Sequence, residues 1–376
     1  MTTRFLLLCI VLCAVLFASC AIPAKQVVTI DNRVERILPT LSFPAERKDH
    51  HAVVVLDVAF SPDGKKLLVG TFDDVIVWTL SEQPTKRTIL RVAGVPRCVK
   101  WSHSGALIAV SEYSSAKEKG ADAIHILDSA TGQHIREIPA APGRHPRELA
   151  FSADDSLLAW SEYPRRHDGH MMLMVMSLKT GEVVSDSGSI GNSSERNNPI
   201  HISKDMDRIY WHWRGWKLQK SPKLALSDKR KYYLPSYAYS PDGRWGYVMA
   251  PLYRHDIGTY KRLRDIPFPE ALYQIDLASG KVEVRRQWLD AENTMYTYSM
   301  AVSPDGRLLA IGTERNGIHV IDLVTNRDLG RLVVPEKWYP TIDSVVFSPD
   351  GKRIAGCSTW GACIWEVPSV TQEGSK

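Results

Sequence analysis

Residues 59–78 read AFSPDGKKLLVGTFDDVIVW. A Ser-Pro-Asp-Gly turn, a lysine pair and two adjacent aspartates give this stretch the look of a site, but its grammar is that of a hairpin. Pro62 presets φ for a turn, and Gly64 supplies the positive φ that completes it. KLLVG (66–70) and VIVWTL (75–80) have the apolar, β-branched make-up of strands. The pattern then recurs. The octapeptide DVAFSPDG at 57–64 returns as CVKWSHSG (98–105), ELAFSADD (148–155), PIHISKDM (199–206), SYAYSPDG (236–243), SMAVSPDG (299–306) and SVVFSPDG (344–351). The serines at 61, 102, 152, 203, 240, 303 and 348 stand 41, 50, 51, 37, 63 and 45 residues apart. A minimum period near 40 with variable excess describes one structural unit with loop insertions.

Each unit repeats the same order. A strand leads into the turn, and a short apolar strand follows (ALIAV, SLLAW, RWGYVM, RLLAIG, RIAGC). A third strand comes next (AIHILD, LMVMSL, ALYQIDL, IHVIDL, CIWEV), and then a glycine turn such as SATGQ, LKTGE or LASGK. Four antiparallel strands cannot bury both faces alone, so the units must stack around an axis. The expected fold is all-β: a seven-bladed β-propeller of four-stranded antiparallel blades over residues 46–370, with a short tail at 371–376. The last unit has little chain after CIWEV to supply an outer strand. The alternating segment VVTIDNRVERILPTLSF (27–43) provides it and closes the ring.

Unit one also carries His51, Thr71, Asp73 and Trp78. In this respect the chain resembles WD40 propellers, and units five and six are also similar to the repeats of TolB-type periplasmic propellers. The WD40 resemblance implies that these four residues link strands through a hydrogen-bond network, although Trp78 falls one residue early after Asp73 and the other units lack the set. A shared propeller fold implies little about function.

The N-terminus is read apart from the fold. Residues 1–19 have a positive start at Arg4, an apolar run and small residues, the order of an export signal. Leu16-Phe17-Ala18-Ser19-Cys20 resembles a bacterial lipobox, which implies lipidation of Cys20; cleavage after Ala21 is the competing reading. Residues 20–45 then serve as lipid-anchor tether and ring-closing strand. Ala21 lacks the acidic inner-membrane retention signal, so the expected place is the periplasmic side of the outer membrane. Export leaves Cys98, Cys357 and Cys363 in the folded part, too few for a disulfide framework. Cys357 and Cys363 either bridge a hairpin or fall out of register across a turn at Trp360-Gly361. A net charge of +5 is too mild to call for nucleic acid.

Candidate sites lie where the chain exceeds its repeat. On the face opposite the Ser-Pro-Asp-Gly turns, three long loops carry Tyr113, Tyr163, Arg165, Arg166, Tyr253, Arg254, Tyr260, Lys261, Arg262 and Arg264. Tyrosine and arginine are favoured anchors, so these form the expected interaction surface for a protein partner, with an envelope polymer as the other partner class. Plain solvated loop is the competing reading. HDGHMMLMVM (167–176) offers His167 and His170 beside Met171, Met172, Met174 and Met176, donors that suit copper, although the last three have strand spacing and fill an apolar layer without metal. YWHWRGWKLQK (210–220) is a tryptophan hairpin that either stacks on sugars or packs between units. Asp57 and Glu148 start inner strands and could meet at a channel mouth as acid and base. No Gly-x-Ser-x-Gly, His-Glu-x-x-His or phosphate loop is present, and no cofactor is expected. The favoured reading is a non-catalytic envelope lipoprotein acting as a protein-interaction scaffold. The alternatives are a propeller hydrolase or lyase working at the channel mouth and a metal-handling protein using His167 and His170.

Overall fold

The computed structural model describes residues 36–37, 39–44, 54–72, 74–81, 84–91, 94–114, 122–165, 170–187, 199–203, 206, 208–211, 214–217, 236–251, 270–288, 297–313, 317–335 and 341–368. Two short strands come first, β1 (Arg36–Ile37) and β2 (Leu41–Pro44). Blade one is β3 (Val55–Phe60), β4 (Lys66–Thr71), β5 (Asp74–Thr79) and β6 (Thr85–Arg91). Blade two is β7 (Val95–Trp101), β8 (Leu107–Tyr113), β9 (Ala123–Asp128) and β10 (His134–Pro139). Blade three is β11 (Arg144–Phe151), β12 (Leu157–Pro164), β13 (Met172–Ser177) and β14 (Val183–Asp186). Unit four gives β15 (His201–Ile202), β16 (Arg208–Trp211) and β17 (Arg214–Lys217). Blade five is β18 (Ser236–Tyr239), β19 (Trp245–Pro251), β20 (Glu270–Asp276) and β21 (Val282–Trp288). Blade six is β22 (Thr297–Val302), β23 (Leu308–Thr313), β24 (Ile318–Asp322) and β25 (Arg327–Leu332), and the last unit gives β26 (Ser344–Phe347), β27 (Arg353–Ser358) and β28 (Gly361–Glu366).

The expectation of seven four-stranded blades is corrected: among the described residues the structure shows six. Units one, two, three, five, six and seven reach four strands or more, whereas unit four is a three-stranded sheet among the described residues. The physical reasons are local. Unit four has the shortest spacing, 37 residues from Ser203 to Ser240. Pro199 has no N–H to extend the inner strand, so β15 is two residues long. Its turn lacks both proline and glycine, leaving Met206 to take the positive φ of 54°.

Elsewhere the turns are built as their residues dictate. Ser61 Oγ donates to Asp63 Oδ1 at 2.5 Å and accepts the Lys66 N–H at 2.9 Å, while Gly64 sits at φ 68°. The same serine–aspartate clasp recurs at Ser240–Asp242, Ser303–Asp305 and Ser348–Asp350. These bonds hold the Asp63, Asp242 and Asp350 carboxyls below their ordinary range.

The N-terminal segment joins two blades. β2 pairs antiparallel with β28, Leu41 opposite Ile364, and so supplies the fourth strand of the last blade. β1 pairs parallel with β25 of blade six, a contact the sequence pattern does not announce. Apolar layers fill the space between neighbours. Phe60 and Leu67 meet Ala355 and Ile364 between blades one and seven, and Leu68 and Val77 meet Val99 and Val110 between one and two. Ile202 and Ile209 of unit four pack on Leu173 and Val175 of blade three. Its other side is aromatic, with His201 stacked on Tyr239 of blade five and Tyr210 tilted against the same ring. Cys357 and Cys363 are free and buried; Gly356, not Cys357, stands opposite Cys363, and the two thiols enter different interblade cores.

Candidate functional site

The inner strands of blades two and three begin in the same way. Both are bulged near their start, between Pro96 and Cys98 in β7 and between Pro146 and Leu149 in β11. A bulge breaks the ladder and re-aims side chains, and the residues that fall in these two bulges include Arg97 and Arg147. Each arginine reaches a tyrosine at the end of the neighbouring strand of its own blade, Tyr113 as the last residue of β8 and Tyr163 as the last but one of β12. The Arg97 guanidinium stands 5.1 Å from the Tyr113 ring, and that of Arg147 stands 4.6 Å from the Tyr163 ring. The repeated Ser-Glu-Tyr at 111–113 and 161–163 is therefore the outer half of a duplicated Arg–Tyr element.

His145 joins the two copies. Its ring meets Tyr113 edge-on at 4.8 Å and stacks on Tyr163 at 6.0 Å. It is 7% exposed, and its Nδ1 has no hydrogen-bond partner among the described residues. Burial, followed by the positive charges of Arg147, Arg97, Arg165 and Arg144, pushes its pKa down to about 3. The layer is thus strongly electropositive around a neutral imidazole. Part of that charge is answered within the protein. Arg165 bonds Asp122 at 2.5 Å and the Ser114 carbonyl at 3.0 Å, and its guanidinium lies 5.4 Å from Tyr113. Arg144 pairs with Glu162 at 3.5 Å and also donates to the His170 carbonyl. Ser111 Oγ ties the blades by donating to the Arg147 carbonyl at 2.6 Å.

The structure thus brings Tyr113, Tyr163 and Arg165 together. Tyr163 is buried rather than presented on a rim, and Arg165 is a clasp between blades two and three. Arg166, Tyr253, Arg254, Tyr260, Lys261, Arg262 and Arg264 lie outside the described residues, as do Cys20, His51, Asp73 and His167. Thr71 Oγ1 is engaged with the backbone of Asp74, at 2.9 Å to the carbonyl and 3.1 Å from the N–H, and Trp78 packs on the layer between blades one and seven. Met174 and Met176 face the apolar layer between blades two and three, whereas Met171 enters the layer toward unit four.

The two carboxylates proposed as acid and base sit in separate networks. Asp57 accepts from Ser344 Oγ at 2.7 Å, the Val99 N–H at 3.0 Å and Lys100 Nζ at 3.0 Å, joining blades seven, one and two. Burial works against the Lys100 charge, but the Asp57 carboxylate outweighs it and raises the lysine pKa. Glu148 is bonded to Ser161 Oγ within blade three. Arg97, His145 and Arg147 were not singled out by the sequence reading, which weighed loops and inner-strand acids. Their signal is the pair of basic starts, VPR at 95–97 and RHPR at 144–147, each opening an inner strand.

Residues 43–78 match the family model of the WD domain, G-beta repeat. No curated protein matches the chain. The protein is a β-propeller with one stretch, over its first blade, that matches the WD40 repeat; propellers of the WD40 kind are commonly used as protein-interaction scaffolds.

Proposed function

We propose that the chain is a non-catalytic recognition scaffold of the bacterial envelope, taking an acidic protein partner on the face formed by the starts of β7 and β11. The observation that carries this reading is the Arg–Tyr–His layer, in which Arg97, Arg144, Arg147 and Arg165 surround a buried neutral His145. Planar guanidinium groups stacked on tyrosines are preorganised for carboxylates, and arginine and tyrosine dominate binding hot spots. The separate hydrogen-bond sets of Asp57 and Glu148 support a structural role for both. Export through residues 1–19, with lipidation at Cys20, would tether the propeller at the membrane and present this face to the periplasm.

In-cell photocrosslinking from position 113 tests the assignment. The expected product is a protein with an acidic segment, captured by the native chain and lost in Arg97→Gln/Arg147→Gln. Undiminished capture by that variant would overturn it, and capture of a glycan instead would move the reading to an envelope polymer. Cys20→Ala should release the protein from the membrane fraction; retention there would remove the anchor.

A further inference from the structure

On the outer half of blade two, His125 of β9 stands opposite Glu137 of β10 in register, and His134 begins the same outer strand. His125 Nδ1 and His134 Nε2 face each other at 3.1 Å. One ligand atom from each of His125, His134 and Glu137, a ring nitrogen of each histidine and a carboxylate oxygen, lies within 4.8 Å of the other two. Two nitrogens bound to one zinc at about 2.0–2.1 Å stand roughly 3.3 Å apart in a tetrahedral site, so the spacing is already near that of a chelate.

The other side of His125 fixes its tautomer. Glu112 Oε2 lies 2.7 Å from Nε2, and the other carboxylate oxygen of Glu112 accepts the Gly94 N–H at 2.5 Å. An ionised carboxylate only accepts, so Nε2 carries the proton and Nδ1 presents its lone pair toward His134. A carboxylate behind a ligating histidine is the outer partner that orients imidazole in metal sites. His134 binds through Nε2 once its proton resides on Nδ1, a tautomer change that needs no net proton release. His134 and Glu137 are exposed, which leaves the remaining coordination positions to water.

Blade six supplies an internal contrast. At the equivalent positions His319 Nδ1 meets Asp328 Oδ2 at 2.9 Å, and Arg331 stands where blade two has Glu137. There the imidazole nitrogen that corresponds to the one facing His134 is engaged by an acid, and an arginine stands in register alongside. Blade two replaces the acid by a second imidazole and the arginine by a carboxylate. We propose that His125, His134 and Glu137 form a binding site for a divalent transition-metal ion of the zinc class, with Glu112 as the positioning residue behind His125. Two nitrogens and one oxygen suit such an ion, whereas calcium and magnesium prefer all-oxygen sites. This site is separate from the His167/His170 stretch.

Equilibrium dialysis of the full chain against Zn²⁺, followed by elemental analysis, tests the assignment, with the thermal midpoint measured in parallel. The native chain should retain one equivalent and melt at a higher temperature with the ion. His134→Ala alters an exposed side chain, so it should keep the metal-free midpoint while losing both the equivalent and the zinc-dependent rise. Glu137→Gln should weaken binding, and Glu112→Gln should weaken it about 10–100-fold. Absence of retained zinc in the native chain would overturn the proposal. So would an equivalent that survives in the His134→Ala/Glu137→Gln double variant, because the ion would then lie elsewhere.

Discussion

Blades two and six follow the same strand plan, position for position. Register places Ser111 with Gly312, His125 with His319, Asp128 with Asp322, His134 with Asp328, and Glu137 with Arg331. In blade six these positions close on themselves. Asp322 is fully buried, pairs with Arg307 at 3.0 Å and accepts the N–H groups of Val324 and Thr325. In blade two the corresponding groups reach outward: Ser111 bonds blade three, Asp128 caps an exposed turn, and the histidines face each other near the surface. The backbone plan therefore fixes where side chains stand, while the residues placed at equivalent positions decide whether they serve the fold or remain available to a ligand.

The largest expected effect separates the two aspartates. Asp322→Ala should cost about 2–3 kcal/mol in chemical denaturation, because it strands two backbone donors and a partly exposed arginine. Asp128→Ala should shift the midpoint only slightly. Equal losses would break the contrast. Asp322 also predicts an acid dependence. Burial raises its pKa, but the Thr325 N–H and Arg307 outweigh it, so the folded value lies below the unfolded one. Its contribution is full above the unfolded carboxyl pKa of about 4 and is lost as pH falls through the folded value.

Next comes Gly312→Val, which should cost about 1–3 kcal/mol by overpacking. A Cβ there already meets Ser299 Oγ at 2.6 Å and Ile342 Cγ2 at 2.8 Å. Ser111→Val at the matching place in blade two should instead loosen the tie to blade three. A Gly312→Val protein of native stability would mean that blades six and seven are less closely apposed than described.

An effect confined to acid pH concerns His145. Its folded pKa lies far below the ordinary histidine value, so the unfolded chain binds the extra proton between about pH 6.5 and pH 3. Stability should therefore fall with acid across that window, by up to about 1.4 kcal/mol per pH unit. His145→Gln should flatten this limb. An unchanged pH profile would show that the arginine field is weaker than the geometry implies.

Much of the fold was legible because its determinants are local. Ser-Pro-Asp-Gly fixes a turn by its own φ preferences and by the serine–aspartate bond, and strand composition does the rest. The N-terminal strand was legible from the missing outer strand after Glu366. Unit four was not: a degenerate SKDM turn still scores as a repeat, although only a short inner strand forms behind it. Parallel pairing of β1 with β25 rests on two residues and leaves no pattern. The candidate site was half legible. Tyr113, Tyr163 and Arg165 were found as loop residues, but Arg97, His145 and Arg147 belong to inner strands and converge only across two blades. The His125–His134 pair was hidden for a similar reason, since eight residues of hairpin lie between the two.

The central claim is that the arginines at the starts of β7 and β11 form an acceptor for acidic groups. Its most direct test is fluorescence anisotropy of a labelled polyglutamate peptide against the native chain and Arg97→Gln/Arg147→Gln, at low and high salt. Saturable binding by the native chain that weakens with salt and is lost in the double variant, with the thermal midpoint retained, is the expected result. Equal binding by both proteins, or none by the native chain at low salt, would contradict it.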